Sequence, residues 1–207
     1  MTTTHPAGDA AGPGGSWAGV VVGIVLAAGA GSRMGKPKAL VRTAEGEPWL
    51  ERATALLEHA GCSPVFAVLG AKADEARALL PSDGIATVVV AERWAEGMSE
   101  SLRAGLMAAS ATSAGAALVT LVDLPGLPLP VLQRLLEEPA TNNTVLRQAV
   151  YRGQPGHPVL IGRAHWPALL NSLDGDRGAR RYLVAHGVDE VECGDLFDGS
   201  DVDTPAS

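Results

Sequence analysis

The feature that most constrains this chain is the stretch "VVVGIVLAAGAGSRMGKPKAL", residues 20–40. Residues 20–26 are apolar without interruption, the pattern of a central strand covered on both faces. A strand of that kind needs pairing partners on either side and helices above and below, which points to an α/β fold. The run then breaks into Gly29, Gly31 and Gly35, with Arg33, Lys36 and Lys38 among and just after them. Closely spaced glycines after a strand bring several backbone N–H groups near one point, where they can hold phosphate oxygens, and the three cations add charge. The same glycines would also suit a sharp strand-to-helix turn with no ligand. The loop is not a P-loop, because GxxxxGK[ST] is absent, and its G-x-G-x-x-x-G spacing only approximates the dinucleotide fingerprint.

Along the rest of the first half, β-rich apolar runs alternate with helical patterns. Helices are expected over 48–60, with Trp49, Ala53, Leu56, Leu57 and Ala60 on one face, over 72–80, and over 99–110 with Leu102, Leu106 and Ala109 inward. Strands are expected over 64–70, over 85–91, and in "AALVTLVDLPGLP", where the apolar run ends on Asp123. This order predicts a three-layer α/β/α sandwich with a mainly parallel, Rossmann-like sheet and a ligand site at the carboxyl ends of the strands. The second half is less regular, with helices expected over 128–138, 163–172 and 176–186 and strands over 144–151 and 157–161. It suggests a substrate-binding lobe attached to the nucleotide half. The chain is expected to form one domain over 19–207, preceded by a disordered Gly/Ala/Pro tail over 1–18.

Several residue groups carry chemistry. Asp123 at the end of an apolar strand suits a Mg²⁺ site between phosphates, or else a simple turn cap before Pro125. Asp201 and Asp203 in "DGSDVDTP" complete such a site if the terminus folds back. His157, held between Gly156 and Pro158, is placed either to touch a substrate or to serve the backbone. Arg177 and Arg181 stand four residues apart, the spacing of a shared helical face that clamps an anion. In "ERWAEGMSESLRAGL", Gly97, Ser99 and Ser101 mark a helix start that either faces a ligand or is capped by serine, and Trp94 either stacks on a planar ring or packs.

Composition narrows the partners. With 16 basic and 23 acidic residues the net charge is −7, and no basic run suggests nucleic acid or an anionic membrane surface. A small-molecule substrate is expected instead. Cys62 and Cys193 stand alone, without metal-ligand spacing, and read as two half-buried thiols in a reducing cytosol. No stretch reaches the length of a membrane span, and the N-terminus lacks the pattern of a signal peptide, so a cytoplasmic location is expected.

In combination and in order, "VLAAGAGSRMGKPKAL", "VDLP", "GHPVLIG", "GDRGARRYL" and "DVDTP" resemble the MobA/MocA-like nucleotidyltransferase superfamily over about 20–205. That resemblance implies that Ala27, Ala28, Gly29, Gly31, Arg33 and Lys38 touch base and phosphates, that Asp123 holds Mg²⁺, and that Asp201 assists it. "LAAG" is similar to the branch that joins CTP to molybdopterin. A narrower resemblance, carried by "GEPWLERA", "ERWAEGMSESLRAGL", "LVDLPGLP" and "YRGQPGHPVLIGRAHWPAL", is to the group of this fold called nicotine blue oxidoreductases. It implies NAD(P)H-dependent, FMN-containing reduction of a quinone-like pigment to its hydroquinone, with Trp94 or His157 against the pigment. Sequence similarity in the second half places this reduction first and Mg-dependent cytidylyl transfer to molybdopterin second.

Overall fold

The apolar run at the head of the chain forms strand β1 (Val21–Ala27), buried at every position but its first. This and all that follows is taken from a computed structural model, which describes residues 20–32, 34–82, 84, 86–137 and 142–202. The expected tail over 1–18 and the residues Arg33 and Asp203 lie outside the described residues. After β1 come α1 (Trp49–His59), β2 (Val65–Leu69), α2 (Ala73–Arg77), β3 (Ala86–Val90), α3 (Met98–Ser110) and β4 (Ala116–Leu121). The second half adds α4 (Leu129–Leu136), β5 (Leu146–Tyr151), β6 (Gln154–Gly162), α5 (Trp166–Ser172), α6 (Arg180–Ala185) and β7 (Asp189–Glu192).

All seven strands join one sheet in the order β3-β2-β1-β4-β6-β5-β7. Pairing is parallel from β3 through β4, antiparallel on both sides of β6, and parallel again between β5 and β7. Six strands therefore point one way and β6 alone runs against them. This is the mixed α/β, mostly parallel sheet that the alternation predicted. The second half is not a separate lobe on the first: β6 pairs with β4, Val119 opposite Val159, and carries the sheet on past it.

Helices cover both faces. One core layer packs Trp49, Leu50 and Leu57 of α1 and Leu132 and Leu135 of α4 against Val25, Ala67 and Leu118 of the sheet. The other packs Leu102 and Leu106 of α3, Leu169 of α5 and Leu183 of α6 against Ile24, Val68 and Val119. The inward face expected of α3 is buried, and Gly61, with φ 91°, ends the helix α1 as the sequence suggests. In α1 the deeply buried residues are Trp49, Leu50, Thr54 and Leu57, while Ala53, Leu56 and Ala60 are only partly covered. The expected helix over 176–186 is broken: a single 3₁₀ turn, Gly175–Arg177, is separated from α6 by Gly178 with φ 51°. Arg177 and Arg181 therefore do not share a helical face. Both cysteines are fully buried rather than half-buried, and desolvation pushes the Cys62 thiol up to about 12. Among the described residues no helix is long and apolar enough to cross a membrane.

Candidate active site at the carboxyl ends of β1 and β4

The strands β1 and β4 are adjacent and parallel, so their carboxyl ends deliver the glycine loop and Asp123 to the same edge. A cavity of about 480 Å³ opens there, within the size range of small-molecule sites. Its floor is the backbone from Leu26 to Ser32, and Lys38 and Asp123 stand on one wall. The N–H groups of Gly29, Ala30, Gly31 and Ser32 donate to no other described residue. A row of uncommitted donors lining a cavity is the arrangement that holds an anion. Gly31 makes the turn possible: its φ is 61°, and a Cβ there would strike the carbonyl oxygen of Lys36. Its own carbonyl accepts from Met34 N–H at 2.9 Å, closing the loop.

The cation and the carboxylate meet. Lys38 Nζ donates to Asp123 Oδ2 at 2.5 Å, with both side chains largely shielded from solvent. Lys38 reaches this position because a 3₁₀ turn, Lys38–Leu40, begins directly after Pro37. The second carboxylate oxygen, Asp123 Oδ1, is buried and has no hydrogen-bond partner. A buried lone carboxylate oxygen is costly unless something binds it, and a hard divalent cation is the partner such an oxygen suits. No group of three or more His, Cys, Asp or Glu side chains that could hold a metal occurs among the described residues. The unpartnered Asp123 Oδ1 fits a Mg²⁺-type ion that takes one carboxylate and draws its other ligands from water and phosphates.

The C-terminal segment does fold back here. Val202 N–H donates to the carbonyl of Asp123 at 3.0 Å, which brings the exposed Asp201 alongside β4's end.

Other expected residues fall in two places. Ala27, Ala28, Gly29, Gly31, Trp94, Gly97 and Ser101 line the large cavity, so the start of α3 does face it. Trp94 packs tightly over Gly70, where a Cβ would come within 2.6 Å of the Trp94 Cβ. Gly35, with φ 71°, is outside the cavity lining and turns the backbone of the loop. Ser99 is not at the ligand surface either: it is fully buried and its hydroxyl has no partner. His157 and Arg177 line a second cavity of about 210 Å³ that shares Leu26 and Met98 with the first. Burial pushes the His157 imidazole down to about 4, opposed by the negative charge of Asp123, so the ring is neutral at neutral pH. Asp176, which no sequence motif marks as a site residue, lines the large cavity. Its only signal was its place beside Arg177 in "GDRG".

Residues 23–191 match the MobA-like NTP transferase domain. The chain belongs to the MobA-like NTP transferase family. It is 38% identical over 196 residues to the nicotine blue oxidoreductase of Paenarthrobacter nicotinovorans, covering 89% of this chain and 92% of that one. It is 32% identical over 154 residues to the molybdenum cofactor guanylyltransferase of Rhodobacter capsulatus, covering 72% of this chain and 67% of that one. The crystal structure of Rv0371c from Mycobacterium tuberculosis H37Rv matches with a TM-score of 0.74 at 29% identity, over 90% of this chain and 94% of that one. A manganese complex of that mycobacterial protein matches with a TM-score of 0.65 at 25% identity, over 84% and 88%.

Proposed function

We propose that this MobA-like protein transfers a cytidylyl group from CTP to a phosphomonoester acceptor with the help of a divalent cation. The cytidine choice comes from the "LAAG" resemblance, which also implies molybdopterin as acceptor. One observation carries the transferase reading: Asp123 offers Oδ2 to Lys38 and keeps Oδ1 buried and unpartnered at the mouth of the cradle. A manganese complex of a protein of the same fold supports a divalent cation.

The chemistry asks for positioning and charge neutralisation, not for a covalent protein group. An acceptor phosphate oxygen attacks the α-phosphorus in line, and pyrophosphate leaves with the electrons of the bond that breaks. The N–H groups of the Gly29–Ser32 loop hold phosphate oxygens and fix their orientation. The ammonium of Lys38 balances charge on the phosphates as the leaving group departs. A divalent cation held by Asp123 supplies Lewis-acid neutralisation of the same phosphates. The surrounding wall of Leu26, Met98 and Leu121 lowers the local dielectric, which strengthens each of these contacts.

Reduction of a nicotine-derived pigment is the second reading, favoured by the 38% identity across most of both chains. The loop suits it less well. A dinucleotide site places its pyrophosphate on the N-terminus of the helix that opens directly from the glycine loop. Here the glycines lead into a 3₁₀ turn, and α1 begins only at Trp49. The end of β2 continues into Gly70, Ala71 and Lys72, without the acidic residue that would meet a ribose. Absorption spectroscopy and two assays separate the readings. The transferase reading expects a colourless protein that releases pyrophosphate from CTP with molybdopterin and Mg²⁺. A flavin band, with NAD(P)H oxidation that requires the blue pigment and no pyrophosphate release, would overturn it.

A further inference from the structure

A third cavity, of about 200 Å³, lies between α1 and the segment that follows β4. Side chains along β4 alternate between the faces of the sheet: Ala116 and Leu118 pack toward α1, and Ala117 and Val119 toward α3. Thr120 falls in the first set, a polar residue where its neighbours on that face are aliphatic. It lines the third cavity, is only 1% exposed, and its hydroxyl has no hydrogen-bond partner among the described residues. A buried hydroxyl without a partner calls for an explanation, and a ligand that supplies the partner is one. The rest of the wall is mostly apolar, with Trp49, Leu56, Leu124 and Leu127 among its side chains. The guanidinium and carboxylate that line it are already matched: Arg52 donates to Glu47 at 3.1 Å and, through Nε, to the Pro125 carbonyl at 2.6 Å. The remaining ionisable residue of the wall, His59, is exposed in the last turn of α1.

We propose that this third cavity is a second ligand site, separate from the nucleotide cradle, and that it takes a small uncharged ring compound whose one hydrogen-bonding group meets the Thr120 hydroxyl. The site stands whichever reaction the cradle serves. An apolar cavity of about 150 Å³ takes a benzene ring, so about 200 Å³ holds one ring and a substituent. An anion would find Arg52 already committed and Glu47 in the same wall, and would lose its hydration without gaining a partner. A ring suits the wall better than a chain of equal area, because it has few rotors to freeze and Trp49 offers it an aromatic surface. The hydroxyl of Thr120 can both donate and accept, so a phenol-type O–H or a ring carbonyl serves equally as its partner.

Amide-resolved NMR of the full chain, titrated separately with phenol, toluene and benzoate, tests this. Phenol and toluene should shift the amides of Ala53, Ala55 and Leu56 and leave those of residues 29–32 in place. Benzoate should bind roughly tenfold more weakly than phenol or not at all. Thr120→Val keeps the shape of the side chain and removes its hydroxyl. It should weaken phenol roughly fivefold, and toluene, which makes no hydrogen bond, should hold its affinity and so show that the cavity is intact. If neither ring compound shifts the α1 amides, if they shift residues 29–32 instead, or if benzoate binds as well as phenol, the site falls. If Thr120→Val weakens phenol and toluene alike, or weakens neither, the assignment of the polar group to Thr120 is overturned.

Discussion

The large cavity and the smaller one around His157 differ in their floors. The large cavity has a floor of consecutive backbone from Leu26 to Ser32, with the Lys38–Asp123 pair, Trp94, Met98 and Asp176 around it, whereas the smaller cavity has no run of that length and is lined by residues of β1, α3, β4, β5, β6, the Gly175–Arg177 turn and α6. Consecutive backbone can bind a group common to every nucleotide, since each N–H is the same donor whatever the residue. Side chains gathered from seven segments can be exchanged one at a time, which suits the partner that differs among enzymes of one fold.

Substitutions in the two regions should therefore separate. The largest effect is expected at Asp123→Asn, which removes the carboxylate charge that faces both the proposed cation and Lys38. The transferase rate should fall by roughly 10³-fold, and a rate within tenfold of the parent would remove Asp123 from the chemistry. Lys38→Met should lower the rate by roughly 10²-fold, with a smaller effect on CTP affinity, as expected of charge needed most when pyrophosphate leaves. Gly31→Ala should cost about 2 kcal/mol in denaturant unfolding, because the left-handed backbone and the clash with the Lys36 carbonyl both oppose it. It should also weaken CTP, whereas Arg177→Ala should not.

An effect of similar size to that of Gly31→Ala is expected from pH. The His157 imidazole titrates near 4 in the folded protein and near its ordinary 6.5 when unfolded. Between those values the unfolded chain binds more protons, so the stability from a neutral His157 is complete above about 6.5 and is lost as pH falls toward 4. Going from pH 7 to 5 should cost about 2 kcal/mol through this group. Urea unfolding of His157→Gln should show a loss smaller by about that amount, and an identical loss would place the acid sensitivity elsewhere.

How far the sequence could be read follows the same division. Strand β1 and the cradle were legible because an unbroken apolar run and a glycine cluster are local signals. Asp123 was legible because a carboxylate ending a buried strand conflicts with its surroundings. Strand β7 (Asp189–Glu192) was not, because it lies at the sheet edge and three of its four residues are acidic, so neither alternation nor an apolar run marks it. The broken helix around Gly178 was missed because its arginine spacing fits a helix and only the positive φ of that glycine ends it. Asp176 and the smaller cavity were out of reach, since they exist only once β6 has turned back beside β4 and the Gly175–Arg177 turn has settled on Gly97.

We propose that Asp123 and Lys38 close a cradle for a nucleotide with its cation. It is tested most directly by the affinity for CTP, measured by calorimetry with and without Mg²⁺, for the parent protein and for Asp123→Asn. Mg²⁺ should tighten CTP at least tenfold in the parent and leave it nearly unchanged in the variant. Equal Mg²⁺ dependence in both proteins, or CTP binding to neither, would contradict the account.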